Sequence, residues 1–260
     1  MDIVPPNIRE VGQRAIEMTA SWWPRPVDPN AVTPSELALA GVARCRRLLF
    51  GMLTLHDVAP DLVGGFARAH FETWVWSVYL LLDGDTAIMR LDANETIERR
   101  RQAAHIIECF ESETGETTSL RVLVDDARQV LAATSPDAAN ATLSTLDATK
   151  QVVELLRATR DRNADYPLKM YALLYRRESQ RSVHGQMAAL RPHMPITLDG
   201  RGEVVAVPEN EETHDRRLEL TVAGFLALAK KAGEALELNL SMIETLVSEW
   251  FSSSTFTTSP

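Results

Sequence analysis

Apolar residues recur at three- and four-residue spacing through most of the chain, the period of helices that turn one face to a core. The spacing predicts helices over about 7–20, 33–56, 61–82, 86–113, 119–134, 138–162, 167–190 and 215–250. The second has a marked start: Thr33 as cap, Pro34 at the first helical position and Glu36 closing a capping box. The third is apolar on most sides in its second half, which places it at the centre of a bundle. Asp83-Gly84-Asp85 ends it as a turn, since the remaining ligand positions of a calcium loop are missing. Gly224 and Gly233 inside the last pattern mark either close helix contacts or a break.

Two segments fall outside this period. Trp22 and Trp23 precede Pro24, Pro26 and Pro29, and repeated prolines break helical bonding there. This N-terminal arm either packs on the core or covers a pocket. Residues 196–207 hold two short β-favouring runs around a Gly-rich turn, the pattern of a small hairpin. The predicted class is therefore all-α, an irregular helical bundle with one small β-hairpin insertion near 196–207. A single helical domain over 1–251, with its core at about 35–245, precedes a small polar tail over 252–260 that is expected to be disordered.

Composition narrows the function classes. With 260 residues, Lys+Arg 27 against Asp+Glu 36 gives net −9, which excludes a broadly basic nucleic-acid coat but leaves room for a local patch. Cys45 and Cys109 form neither a disulfide framework nor a metal set, and both are expected to be reduced core thiols. The first residues lack the pattern of a signal peptide, and the apolar run from Trp74 to Leu82 is too short to cross a membrane. A cytoplasmic protein without a membrane segment is expected. No Gly-rich phosphate loop or paired His/Cys ligands occur, so no cofactor or metal is expected.

Several charged residues share faces with apolar ones. Arg177, Arg181 and His184 lie on the same helical stripe as Met170, Leu173, Leu174 and Ala188. On the central helix Arg68 and Glu72 share a face with Phe71, Val75, Tyr79 and Leu82, at a spacing that allows an ion pair. Buried charge is expensive unless paired, so these residues mark either a structural network or a functional pocket. Local charge singles out the same region. Residues 157–191 carry seven arginines and Lys169 against three acids, net +5. That patch suits a phosphate-bearing partner such as RNA, or a solvated arginine-rich face balanced by acidic neighbours.

Tyr175-Arg176-Arg177-Glu178-Ser179-Gln180-Arg181-Ser182-Val183-His184-Gly185 resembles one block of a bacterial helical family of unknown function. Arg68-Ala69-His70-Phe71-Glu72-Thr73-Trp74 resembles that family's earlier block of Arg and Glu four apart. The later block also resembles the HEPN superfamily motif, in which Arg and His are separated by four to six residues; Arg177 and His184 have six between them. The resemblance implies metal-independent RNA cleavage, of a toxin or phage-defence type. His184 would move a proton and Arg177 stabilise the charged phosphorane, with a site commonly built across a homodimer. Arg68, Glu72, Arg176, Ser179 and Arg181 would contact substrate. Glu178 departs from the small polar residue often found directly after the motif arginine. A second Arg–His spacing, Arg99 or Arg100 with His105, sits on a plainly charged helix. The alternative is a non-catalytic helical module that binds a small ligand or a protein, with the Arg/Glu/His cluster structural.

Overall fold

The computed structural model describes residues 7–22, 32–113, 115, 118–176, 196–197, 204–205 and 211–253. Nine α-helices occur among them: α1 (Ile8–Met18), α2 (Pro34–Leu55), α3 (Pro60–Leu82), α4 (Gly84–Phe110), α5 (Thr118–Ala133), α6 (Thr145–Ala158), α7 (Tyr166–Met170), α8 (Glu211–Ala235) and α9 (Ser241–Ser253). The protein is all-α. One antiparallel pair of two-residue strands is described beside the helices, with Ile196 opposite Val205 and Thr197 opposite Val204. The other residues of 196–207 and the tail from 254 onward lie outside the described residues.

Helix α3 is the central element and packs against α2, α4, α6 and α8. Its inward residues Phe71, Val75 and Val78 meet Leu49 and Met52 of α2, Val152 and Leu156 of α6, and Phe225 and Leu228 of α8 in one core. Trp22 packs against the same core, as expected of an N-terminal arm. Trp23 lies outside the described residues. Helices α4 and α5 form a hairpin whose outer half packs mainly on itself. That explains one difference from expectation. Cys45 is buried, but Cys109 is exposed, because only one face of α4 is covered by α5 at that point.

Helix ends follow local chemistry. The capping box of α2 forms as predicted: Glu36 N–H donates to Thr33 Oγ1 at 3.3 Å, and Thr33 N–H to Glu36 Oε2 at 2.8 Å. The predicted 138–162 helix is shorter. Asn94 takes both backbone groups of Leu143, its Oδ1 accepting from Leu143 N–H and its Nδ2 donating to Leu143 O, each at 2.9 Å. The α-helix therefore starts only after Ser144, whose Oγ accepts from Asp147 N–H at 3.1 Å.

It ends in a Schellman motif. Arg160 has φ 58°, Arg160 N–H donates to Arg157 O at 2.9 Å, and Asp161 N–H to Leu156 O at 2.9 Å. The predicted 215–250 helix is likewise split, because Glu237 (φ 53°) ends α8 with Leu238 N–H donating to Gly233 O at 2.8 Å.

Arginines finish several of these ends. Arg46 donates to Thr19 O, Arg90 to Ala141 O at 2.8 Å, and Arg100 to Leu131 O at 3.0 Å and to Thr134 O. Part of the arginine excess is therefore structural, since a guanidinium fork can reach carbonyls that a helix terminus leaves unpaired.

The α2–α3 contact is set by a glycine. A Cβ built on Gly41 would lie 2.9 Å from Ser77 Cβ and well inside contact distance of Ser77 Oγ. Ser77 is buried and donates to Thr73 O at 2.7 Å, so it has little room to yield. Gly41→Ala is expected to destabilise the fold by about 1–3 kcal/mol through overpacking, against a helix-propensity gain of about 1 kcal/mol. Adding Ser77→Gly should restore most of the loss. Urea denaturation of the single and double variants checks both; a Gly41→Ala protein as stable as the parent would show that the helices part freely.

Candidate functional site

The candidate site lies where α3 meets the chain following α7. Pro167 and the short α7 lead into a π-helical turn, Tyr171–Arg176. Side chains four apart are neighbours along one face of a helical turn, and single π turns are frequent at functional sites. Tyr171 and Tyr175 accordingly stack, with ring centroids 5.1 Å apart and planes 22° from parallel. Both rings rest on Phe71 of α3, at 6.1 and 6.0 Å. Phe71 stacks on Trp74 at 6.0 Å, and Trp74 meets Tyr166 edge-on at 6.4 Å.

Arg68, one helical turn before Phe71 and Glu72, closes the polar end of this aromatic row. Its guanidinium carbon lies 4.9 Å from the Tyr175 ring centroid, a cation–π distance. Its Nη2 donates to Tyr175 OH at 3.3 Å and stands 3.6 Å from Glu72 Oε1. The second distance is an ion pair too long for a hydrogen bond, and the first is at the long end of the range. Arg68 is thus positioned by packing more than by strong polar bonds. Its Nε is buried and has no hydrogen-bond partner, and its Nη1 donates to none of the described residues. The Arg68 side chain is 19% exposed and that of Glu72 39%, so the pair sits at the rim of the core.

The structure brings Arg68, Glu72 and Tyr175 together, with Arg176 exposed at the end of the π turn. Arg177, Ser179, Arg181 and His184 lie outside the described residues. The stripe drawn through Arg68, Glu72, Phe71, Val75 and Tyr79 runs along the edge of the buried face rather than its middle. The buried face of α3 also holds Ala67, His70 and Trp74. The spacing of Tyr171 and Tyr175 is the signal that sequence reasoning passed over.

The competing Arg–His spacing on α4 assembles no site. Arg99 pairs with Glu95, and Arg100 binds carbonyls at the end of α5. His105 is exposed beside Glu108 and Cys109. No group of three metal-ligating side chains is found among the described residues, and no helix among them is long and apolar enough to cross a membrane. Comparison with family models, curated proteins and solved structures finds no match to this chain.

Proposed function

We propose that the chain is a HEPN-like helical protein in which the Arg68–Tyr175–Arg176 rim holds a phosphate group of RNA. The observation that carries this is the state of Arg68. Its guanidinium is oriented by the Tyr175 ring yet its Nη1 bonds to none of the described residues, and Tyr175 directly precedes Arg176 and the Arg177–His184 block in the sequence. A guanidinium fixed in this way loses little rotamer freedom when a phosphate docks.

In the full reading Arg177 and His184 are the catalytic pair, assisted by Ser179 and Arg181. The RNA 2′-oxygen attacks the adjacent phosphorus and the bond to the 5′-oxygen breaks. One proton leaves the 2′-hydroxyl and one reaches the departing oxygen, so no metal is required. A 2′,3′-cyclic phosphate and a 5′-hydroxyl result. Glu72 limits the net charge around Arg68, and a homodimer supplies the second half of the cleft. A toxin or defence role in the cytoplasm belongs to this proposal, as does the hairpin insertion at 196–207, which the antiparallel pairing of Ile196–Thr197 with Val204–Val205 supports.

A second reading, the non-catalytic module, is favoured by the Arg68–Glu72 ion pair within α3, which would hold Arg68 against Tyr175 and so tie α3 to the π turn without chemistry. Arg68→Ala separates the two. If Arg68 meets phosphate, the variant binds single-stranded RNA about tenfold more weakly, and the log–log salt slope of binding falls by about one contact's worth. Fluorescence anisotropy with labelled RNA across a salt series measures this. Unchanged affinity and slope, with a lowered melting temperature, would leave Arg68 a structural residue only.

A further inference from the structure

The far end of the aromatic row opens onto a cleft that the proposal above does not use. It lies between α3, the α6–α7 turn and α8, and holds about 90 Å3. Its walls include Trp74, Leu156 and Tyr166, and its rim carries Asp161, Asn163 and Lys231.

The polar groups here are not balanced. Asp161 is already engaged through both oxygens: Oδ1 accepts from Asn163 N–H at 2.8 Å, and Oδ2 accepts from Lys231 Nζ at 3.4 Å. The Schellman turn at Arg160 fixes this carboxylate in place. Tyr166 donates its hydroxyl to Leu220 O at 3.3 Å. Lys231 keeps two of its three donors after the long Asp161 contact. The indole N–H of Trp74 is buried with no hydrogen-bond partner, in a residue 3% exposed. A buried donor left unpaired is costly, and such an exception calls for an explanation. The cleft therefore offers a cation with spare donors and an apolar interior, and one of its wall residues, Trp74, carries the unpaired indole N–H.

We propose that this cleft binds a small carboxylate with a branched apolar body of roughly four carbons, a size scaled from an apolar cavity of about 150 Å3 that admits benzene. The body sits against Trp74, Leu156 and Tyr166. The carboxylate meets Lys231, and the apolar body packs on the Trp74 indole, whose N–H then reports its arrival. Free carboxylic acids and α-amino acids share this chemistry. They differ in the ammonium group, which could use the lone pair that each Asp161 oxygen keeps beyond its present bond.

The test uses the full chain, labelled with 15N, and follows the indole N–H resonance of Trp74, assigned by its loss in Trp74→Phe. Titration with 3-methylbutanoate is expected to move that resonance saturably, with Kd on the order of 1 mM. The uncharged 3-methylbutan-1-ol should bind at least about tenfold more weakly, as should 3-methylbutanoate to Lys231→Met. L-valine binding more tightly than 3-methylbutanoate would assign the site to amino acids, and the reverse order to free acids. No saturable movement by either compound up to about 10 mM would overturn the proposal. Equal affinity of Lys231→Met and the parent protein would overturn it too. A folded Lys231→Met is verified by its unshifted remaining indole resonances. Neither result depends on RNA binding.

Discussion

Lowering the pH from 7 to 4.5 is expected to remove about 3 kcal/mol of folding stability through one side chain, His70. His70 is fully buried on α3, where its ring meets Phe225 of α8 at 6.4 Å, and its backbone carbonyl accepts from Cys45 Sγ of α2 at 3.7 Å. Neither ring nitrogen has a hydrogen-bond partner. Burial without a partner disfavours the imidazolium and pushes the pKa down to about 3.

In the unfolded chain the same ring titrates near its ordinary value of about 6.5. Between these two values the unfolded state binds a proton that the native state refuses. Stability is therefore intact above about pH 6.5 and falls by about 1.4 kcal/mol for each pH unit below it. The fall levels off once the pH passes below the folded pKa.

The window from pH 6.5 to 4.5 separates this effect from the carboxylates. Asp57, for example, is held down to about 2 by hydrogen bonds from Arg9 and His56, and its loss begins only near its unfolded value, below about pH 4. His70→Leu has a similar side-chain volume and no polar atoms. It should flatten the pH dependence in this window and leave the protein at least as stable at pH 7, since two unsatisfied buried groups are removed. Denaturant titrations at several pH values decide the matter. Equal slopes in the two proteins would show that His70 finds a partner or water in solution.

His70 also shows how far the sequence could be read. It stands between Arg68 and Glu72, and the helical period alone places it on the far side from them. Which of those sides is buried depends on α8, some 150 residues later in the chain, packing its Phe225 against the His70 ring. Local periodicity does locate the helices, and α2 through α5 begin and end within a few residues of expectation. The misplaced ends have tertiary causes. Asn94 on α4 holds Leu143 and delays α6, and the reversal at Glu237 divides the last helix although no glycine occupies that position.

The candidate site was legible to a similar degree. The Arg68–Glu72 spacing predicts an ion pair along one helix, and that pair is present at 3.6 Å. The partner that orients Arg68, Tyr175, belongs to the second motif block but takes its position from a π turn. Helical-wheel reasoning at a fixed 100° per residue cannot express that turn. The same turn changes the phase of the face drawn through Leu173 and Leu174, and Arg177 and His184 of that stripe lie outside the described residues. The net charge of −9 conceals a basic stretch, yet Arg157 within it is spent on Glu154 and Asp165.

The central claim concerns His184 and RNA, and its test has the largest expected effect. Purified protein and His184→Ala are incubated with single-stranded RNA in the presence of a metal chelator, and the cleavage rate and the chemistry of the ends are recorded. The account predicts cleavage by the parent protein, with 2′,3′-cyclic phosphate ends. It predicts a loss of at least about 100-fold in His184→Ala at an unchanged melting temperature, the scale of removing a general acid–base. RNA left intact by the parent protein, or cut equally fast by both, would contradict it.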